Sequence, residues 1–182
     1  MLLNIMKEIK WKLRGETSTR ELIKRGLKVG ENFSRQLGCI IDESHCWLIT
    51  IGDNVVFAPN VHILAHDAST KGSLGYTKIG RVTFGNNIYV GAGTLVLPNV
   101  HIGNNVIIGA GSVVTKDIPD NSVVVGHPAR VISNIEDFTK KNKSLMEQRP
   151  VYEKSWTING GITDERKEQM KKDLESGIGF II

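Results

Sequence analysis

Histidine is the side chain of this sequence best suited to proton transfer, because imidazole ordinarily titrates between about pH 5 and 8. One of the five histidines, His66, stands in the segment ILAHD, where a regular apolar pattern ends and a long polar segment begins. A base at such a place can take the proton of a weak nucleophile such as an alcohol. The alternative is that His66 only ends a strand and bonds a backbone carbonyl. Its neighbour Asp67 can orient His66 or occupy a turn, and we favour the turn.

Two cations further along the chain suit an anionic ligand. Lys116 stands in the segment VVTKD, and Arg130 stands in GHPARVI. Ammonium and guanidinium groups both bind phosphate oxygens, although a solvated surface pair is the simpler alternative. The formal net charge is +4, and basic residues are mixed with acids along most of the chain. This distribution favours small anionic ligands and does not indicate nucleic acid binding.

The composition is that of one soluble domain, with 182 residues, of which 40% are hydrophobic and 23% are charged. No apolar run approaches the roughly 20 residues that span a bilayer, so we expect no integral membrane segment. The amino terminus MLLNIMKEIKWKLRG lacks the pattern of a signal peptide, which favours a cytoplasmic location. Cys39 and Cys46 lack the spacing of a zinc site or a disulfide framework, and we expect both to be reduced and structural.

A six-residue period of apolar residues predicts the strands and turns that position these residues. The inner row, which recurs without a gap, consists of Phe84, Val90, Val96, Ile102, Ile108 and Val114. A second row, two positions earlier, consists of Val82, Ile88, Thr94, Val100, Val106 and Ser112. Residues that tolerate left-handed corners stand at Asn86, Asn87, Asn104 and Asn105. Each unit is a strand and a turn, and three units close one coil of an all-β solenoid.

The same period appears earlier in the chain and is then interrupted. The inner row continues at Ile51, Phe57 and Ile63, and the second row at Val55 and Val61. Residues 64–78, LAHDASTKGSLGYTK, break the period and must leave the coil as a loop. Loops of roughly 12 to 15 residues in a compact fold are usually functional, and a tolerated surface insertion is the alternative.

Helical patterns flank the repeat on its amino-terminal side. Residues 2–14 are basic and amphipathic, and we expect them to cap the first coil rather than bind a membrane surface. A second helix is predicted from Ser18, with Glu21 completing a capping box, to Gly26. The chain is thus divided into a helical segment, a β-helical domain and a helical extension at residues 1–32, 33–132 and 133–182.

Two helices are predicted after the repeat. Ser133 with Glu136 forms a capping box before the segment IEDFTKKNKSLMEQR, and Pro150 stands beyond it. A last helix is predicted at residues 164–175, ending at Gly177.

A resemblance to the hexapeptide-repeat acyltransferases is carried by the segment IYVGAGTLVLPNVHIGNNVIIGAGSVVTKDIPDNSVVVGHPARVI. The chain resembles the maltose and galactoside acetyltransferases and the capsular-polysaccharide and xenobiotic O-acetyltransferases over residues 38–132. The resemblance implies a left-handed parallel β-helix and a homotrimer with active sites between neighbouring subunits. It also implies transfer of an acetyl group from acetyl-CoA to a hydroxyl of a sugar or polysaccharide-precursor acceptor. None of these properties follows from the period alone.

The resemblance also implies roles for individual residues. The catalytic base of the family is a histidine at the root of a protruding loop, and His66 matches it. Backbone groups that hold the pantetheine arm of the cofactor are matched by Ala92 and Ala110, one coil apart. The residues that match those meeting the adenine and the phosphates are Thr115, Lys116 and Arg130.

The acceptor side matches the family less well. The stretch GCIIDESHCWLITIG does not reproduce the polar pattern of the sugar acetyltransferases, and their long amino-terminal lid has no counterpart. Asp42, Ser44 and His45 lie in the corresponding region and suit sugar hydroxyls, although a corner turn explains them equally well. Tyr89 stands where some relatives place an aromatic residue beside the thioester. The acceptor therefore stays open, including an amine in place of a hydroxyl.

Two alternative functions use the same repeat. The γ-class carbonic anhydrases bind a metal through three histidines, but His62 and His66 are separated by three residues instead of the four of that family. His101 lies outside the region of a third ligand, so we expect no metal, with His62, His101 and His127 as surface or corner residues. A non-catalytic scaffold needs neither the histidine-bearing loop nor the VTKD and PAR segments, and all are present.

Overall fold

Successive strands of the chain enter three β-sheets in rotation, which is the topology of a three-sided coil. The computed structural model describes residues 15–182, and the helix predicted at residues 2–14 lies outside them. Neighbouring strands in a sheet run parallel and come from successive coils, as when Ile88 lies opposite Val106. The six-residue period is therefore confirmed as a strand and a corner, repeated three times in each coil.

Each coil contributes one strand to each of the three sheets. The first sheet consists of β1 (Lys28–Val29), β4 (Ile49–Ile51), β9 (Val82–Phe84) and β12 (Val100–Ile102). The second consists of β2 (Ser34–Arg35), β5 (Val55–Phe57), β10 (Ile88–Val90), β13 (Val106–Ile108), β15 (Ser122–Val125) and β16 (Arg130–Asn134). The third consists of β3 (Ile40–Ile41), β6 (His62–Ile63), β11 (Leu95–Val96) and β14 (Val113–Val114). At the end of the coil, β16 runs antiparallel to β15.

Both predicted rows point into the coil and are buried. Tyr89, between two buried residues of β10, is about half exposed, because successive side chains of a strand point to opposite faces. The polar members of the second row, Thr94 and Ser112, are also buried. Each donates its hydroxyl to the Gly109 carbonyl, at 3.2 and 2.6 Å respectively. These hydrogen bonds offset the cost of burying a hydroxyl group.

A ladder of asparagine side chains follows one corner of the coil. Its members have φ between 54° and 57° and are Asn32, Asn54, Asn87, Asn105 and Asn121. The side-chain nitrogen of each of the first four donates to the side-chain oxygen of the next asparagine, at 2.9 to 3.1 Å. Asparagine tolerates the left-handed backbone that this corner requires and pairs with its neighbour in the stack. The ladder therefore fixes the register of successive coils.

A short helix precedes the first coil. The helix α1 (Thr19–Lys24) begins after Ser18, whose hydroxyl oxygen accepts a hydrogen bond from the Glu21 amide. The predicted amino-terminal cap is therefore confirmed.

Both cysteines are free and buried, as predicted. Because β1 already pairs with β4, the coil begins before residue 33, where the sequence placed the boundary.

The segment between the second and third coils is a hairpin with a helical tip. Its root is closed by the antiparallel strands β7 (His66–Asp67) and β8 (Lys78–Ile79). A 3₁₀ turn at Ala68–Thr70 and the helix α2 (Lys71–Leu74) form the tip. The predicted departure from the coil at residues 64–78 is confirmed, but the segment is more regular than a loop.

Residues Glu136–Ile182 form a second compact unit. The helices and strands of this part of the chain are α3 (Ile135–Met146), β17 (Val151–Tyr152), α4 (Asp164–Asp173) and β18 (Phe180–Ile181), with 3₁₀ turns at Lys154–Trp156 and Ile158–Gly160. Both predicted helices are present. The predicted cap at Ser133 is wrong, because Ser133 belongs to β16 and its hydroxyl donates to the Asn134 carbonyl. Within residues 15–182, no helix has both the length and the apolar character that a membrane crossing requires.

Candidate active site

Asp42 contacts His66 at the corner that follows the third sheet, where Asp42 comes after β3 and His66 comes after β6. Ile41, at the end of β3, pairs with Ile63, at the end of β6, so the residues that follow both strands meet. The carboxylate oxygen Oδ2 of Asp42 lies 2.5 Å from Nδ1 of His66. The same oxygen accepts a hydrogen bond from the Ala65 amide at 2.9 Å. The register of two strands thus places an acid and an imidazole in direct contact.

Backbone amides hold the other oxygen of Asp42. The amides of Ser44 and His45 each donate to Oδ1 at 3.0 Å, and the Asp42 side chain is fully buried. Burial by itself raises the pKa of this carboxyl. The hydrogen bonds from His66 and from the Ala65 and His45 amides outweigh burial and hold the pKa of Asp42 below its ordinary value. Asp42 is therefore an ionised and fully hydrogen-bonded carboxylate at neutral pH.

This arrangement leaves one ring nitrogen of His66 available for chemistry. An ionised carboxylate at Nδ1 favours the tautomer that carries its proton on Nδ1, so Nε2 keeps a lone pair. The His66 side chain is 36% exposed, which lets a ligand reach the ring. A partly exposed imidazole in this tautomer has the properties of a general base.

Asp67, the immediate neighbour of His66, has a different function. One of its carboxylate oxygens accepts a hydrogen bond from the Ser69 amide at 2.8 Å, and the other pairs with the Lys78 ammonium at 2.5 Å. Lys78 and Ser69 together lower the pKa of Asp67 to about 2. Asp67 therefore occupies the turn that the sequence favoured, and it ties the two strands of the hairpin root together.

The residues expected on the acceptor side do not form one cluster. Ser44 and His45 lie at the corner beside His66. Tyr89 lies on the outward face of the second sheet, away from the corner that carries His66. The buried side chain of Asp42 has no surface for an acceptor to contact, which corrects the role that the sequence suggested for it.

The regular spacing of the repeat does not predict the contact between Asp42 and His66. In the regular part of the coil Val96 pairs with Val114, which is 18 positions later, whereas Ile41 pairs with Ile63, which is 22 positions later. The difference arises from the longer turn that follows β3. A usable signal was present, because Asp42 directly follows an apolar pair, Ile40 and Ile41, at the end of a strand.

One group of side chains within residues 15–182 has the ligand types for a metal ion. The candidate ligand atoms of Asp42, His45 and His66 all lie within 4.8 Å of one another. The carboxylate already receives three backbone amides and the His66 ring, so an ion at this place would replace the His66 hydrogen bond. His62 lies in β6 and His101 in β12, outside this group.

The structure brings Ala92 and Ala110 together at equivalent corners of successive coils. The Gly111 amide donates to the Ala92 carbonyl at 2.8 Å, and both alanines are exposed. A Cβ atom at Gly91 would lie 2.4 Å from the Ala110 nitrogen, so the close stacking of these corners requires glycine there. The two corners form a continuous edge along the outside of the coil.

Thr115 and Lys116 lie at the far end of the third sheet, and Arg130, the first residue of β16 in the second sheet, lies at the same end of the coil. Thr115 and Lys116 follow β14 directly and are exposed. Arg130 lies beside the same strand, because the Ala129 amide bonds to a carbonyl of β14 at 2.8 Å. His66 follows β6, which is two strands from β14, a separation of about 10 Å across a sheet with strands about 4.8 Å apart. The candidate base and the candidate cations are therefore separated along the coil.

The chain is similar to known transferases. A family model described as "Bacterial transferase hexapeptide (six repeats)" matches residues 81–116. Galactoside O-acetyltransferase of Escherichia coli (strain K12) is 41% identical over 120 residues, which cover 63% of this chain and 57% of that protein. Protein CapG of Staphylococcus aureus is 38% identical over 145 residues, which cover 75% of this chain and 83% of that protein.

A solved structure agrees with these sequence similarities. Galactoside acetyltransferase in complex with coenzyme A superposes with a TM-score of 0.57 and 39% identity, covering 63% of this chain and 58% of that one. The chain thus spans a little over half the length of the galactoside acetyltransferases that it matches.

Proposed function

The chain belongs to the hexapeptide-repeat transferase family, and we propose that it transfers an acetyl group from acetyl-CoA to a hydroxyl of a sugar or polysaccharide-precursor acceptor. The observation that carries the proposal is the contact between the buried Asp42 carboxylate and the partly exposed ring of His66. The names of the galactoside acetyltransferases support a sugar acceptor, and the relative solved with coenzyme A supports the donor.

In the proposed reaction His66 acts as the general base. Its Nε2 takes the proton of the acceptor hydroxyl while the oxygen attacks the thioester carbonyl and forms the new C–O bond. The tetrahedral intermediate then breaks its C–S bond, and the leaving sulfur of CoA receives the proton from the imidazolium. Asp42 stays ionised throughout, holds the ring by Nδ1 and stabilises the positive charge on it.

We place the donor along the outside of the coil. A left-handed coil and a homotrimer, which the family resemblance implies, set the edge formed by Ala92 and Ala110 against a neighbouring subunit. Backbone groups of that edge hold the pantetheine arm. The residues proposed to meet the adenine and the phosphates are Thr115, Lys116 and Arg130. The separation of His66 from these cations supports this placement, because acetyl-CoA is an extended molecule whose thioester and nucleotide lie at opposite ends.

The acceptor is proposed to approach His66 from the corner that carries Ser44 and His45. Asp42 positions the base and does not contact the acceptor. Tyr89 is proposed as part of the wall of the acceptor or the pantetheine arm, contributed across the subunit boundary. Light scattering of the active protein tests whether neighbouring subunits form each active site together. A monomer with full turnover would contradict such a shared site.

A thiol-release assay tests the proposed function. Acetyl-CoA is offered with sugars, nucleotide sugars, amino sugars and chloramphenicol-like alcohols, and release of free CoA is followed. We expect release that depends on a hydroxyl acceptor and that is lost in His66→Ala. Acetyl-CoA binding without turnover on any acceptor would favour a scaffold. Bound metal together with hydration of carbon dioxide would favour a carbonic-anhydrase-like enzyme.

A further inference from the structure

We propose that Trp47 and the ring of His45 form an aromatic subsite that binds the C–H face of a pyranose ring in the acceptor. The inference rests on the proposed function, because it names the class of acceptor whose hydroxyl reaches His66. It assigns to Trp47 a role in acceptor specificity.

Three rings form a continuous row that starts at the candidate base. The centroid of the His45 ring lies 5.2 Å from that of His66, with the ring planes inclined by 46°. The centroid of the His45 ring also lies 5.4 Å from that of the Trp47 ring, with the two planes inclined by 51°. Trp47 is 55% exposed. A single exposed apolar side chain is ordinary on a protein surface. The inference therefore rests on the ring contacts that link Trp47 through His45 to His66, and not on the exposure.

The chain holds Trp47 in place from two sides. Trp47 lies in a 3₁₀ turn, Cys46–Leu48, whose first residue is fully buried. The thiol of Cys46 points to the Leu22 carbonyl of α1, with the sulfur 3.6 Å from the oxygen. At Gly26 a Cβ atom would lie 2.8 Å from the Cβ of Trp47. Because the turn is anchored by the buried Cys46 and packed closely against Gly26, just after α1, little backbone freedom is lost when a ligand stacks on the indole.

The chemistry of the row suits a pyranose. The face of an aromatic ring carries partial negative charge and attracts the partly positive C–H groups of a sugar. Because the His45 ring adjoins both His66 and Trp47, a sugar whose hydroxyl lies within about 3 Å of Nε2 of His66 is proposed to lie beside His45 and to extend toward Trp47. Nδ1 of His45 is closed to solvent and lies 3.8 Å from Asp42, so His45 meets the acceptor with its face and its other edge.

Two charged groups lie close to this turn in the sequence, because Glu43 precedes Cys46 by three positions and Arg25 directly precedes Gly26. Glu43 follows Asp42 directly, and its carboxylate lies 3.7 Å from the Arg25 guanidinium. Both side chains are 45% exposed, which leaves hydrogen-bonding capacity for the remaining hydroxyls of a sugar. An apolar platform with a few polar groups at its edge is the usual composition of a small-molecule site.

Kinetics with two acceptor classes test the inference. Methyl pyranosides and the acyclic alcohol sorbitol are compared in the thiol-release assay with Trp47→Ala and Trp47→Phe. We expect Trp47→Ala to raise KM for the pyranoside by roughly three- to tenfold, the range of an aromatic stacking contact, with kcat and KM for acetyl-CoA unchanged within about twofold. Trp47→Phe should restore most of the affinity. Leu37→Ala removes a similarly exposed apolar side chain elsewhere and should have no effect.

An unchanged pyranoside KM in Trp47→Ala, or an equal rise with sorbitol, would overturn the inference and leave the acetyltransferase proposal intact. Tryptophan fluorescence gives a second, activity-independent measurement. Titration with a methyl pyranoside should change the emission of the wild type and not that of Trp47→Phe. If no acceptor releases thiol, the proposed function fails, while this fluorescence difference still decides whether Trp47 binds a pyranose.

Discussion

The carboxylate of Asp42 and Nδ1 of His66 lie 2.5 Å apart, although the two residues belong to different coils. The pairing of β3 with β6 creates this contact, and three backbone amides complete the hydrogen bonding of the carboxylate. The orientation and the tautomer of His66 are therefore properties of the coil itself. Substitution of either residue should therefore lower turnover strongly in a protein that still folds.

Replacing the Asp42 carboxylate by an amide should impair catalysis strongly. In Asp42→Asn an amide N–H group faces Nδ1 of His66, which favours the tautomer with its proton on Nε2 and removes the base. We expect kcat to fall by about 10² to 10⁴ with little change in KM for acetyl-CoA. The matched control is Asp67→Asn, which alters the hairpin root only. A wild-type kcat in Asp42→Asn at saturating substrate would show that Asp42 does not position the base.

Asp42 should also couple stability to pH. Its pKa is lowered in the folded protein, so its stabilising contribution is fully present above the ordinary aspartate value of about 3.9. The contribution is lost as pH falls through the lower folded value. Urea unfolding between pH 5 and pH 3 should therefore show a steeper loss of stability in the wild type than in Asp42→Asn. Equal slopes in the two proteins would mean that the carboxylate is not stabilised by its hydrogen bonds.

Lys116 and Arg130 should serve the donor and not the acceptor. Replacing either with Ala should raise KM for acetyl-CoA about tenfold, if a phosphate contact worth roughly 1 to 2 kcal/mol is lost. The defect should shrink with an acetyl-pantetheine donor, which lacks the nucleotide that the cations meet. A raised KM for the acceptor, or an equal rise in KM for the acetyl-pantetheine donor, would show that the nucleotide binds elsewhere.

The asparagine ladder should contribute to stability through both its backbone and its side chains. Asn105 has φ of 54°, accepts a hydrogen bond from Asn87 at 3.1 Å and donates one to Asn121 at 2.9 Å. Asn105→Ala loses both bonds and strains the corner, so the free energy of unfolding should fall by about 2 to 4 kcal/mol. Asn105→Gly loses the hydrogen bonds without the backbone strain, so the free energy of unfolding should fall by less. Denaturant unfolding in which glycine is the worse substitution would exclude backbone strain as a cause.

The coil could be predicted from the sequence because its core repeats at a fixed period. Every residue of the inner row from Phe84 to Val114 is buried, since each coil presents the same position to the same column. The hairpin root was not predictable as strands, because β7 and β8 contain two residues each and Ile79 is exposed. The pair formed by β17 and β18 is equally short and has no periodic pattern.

The candidate site was predictable only in part. His66 stands where the period breaks, which is visible in the sequence. Its partner Asp42 is set by strand register across an irregular turn, and the aromatic row through Trp47 depends on the same turn. Contacts of this kind depend on three-dimensional packing between coils, for which the six-residue spacing carries no information.

The most direct test of the account is the turnover of His66→Ala on an acceptor that the wild type acetylates. The variant keeps Asp42 and the donor edge, so it should still fold and bind acetyl-CoA with an affinity close to wild type in equilibrium binding. Loss of the His66 hydrogen bond to the buried carboxylate should lower the free energy of unfolding in urea without preventing folding. Turnover should fall by about 10² to 10⁴, the usual contribution of a positioned base. A variant that binds acetyl-CoA normally and retains more than about half of wild-type turnover would show that His66 is not the base.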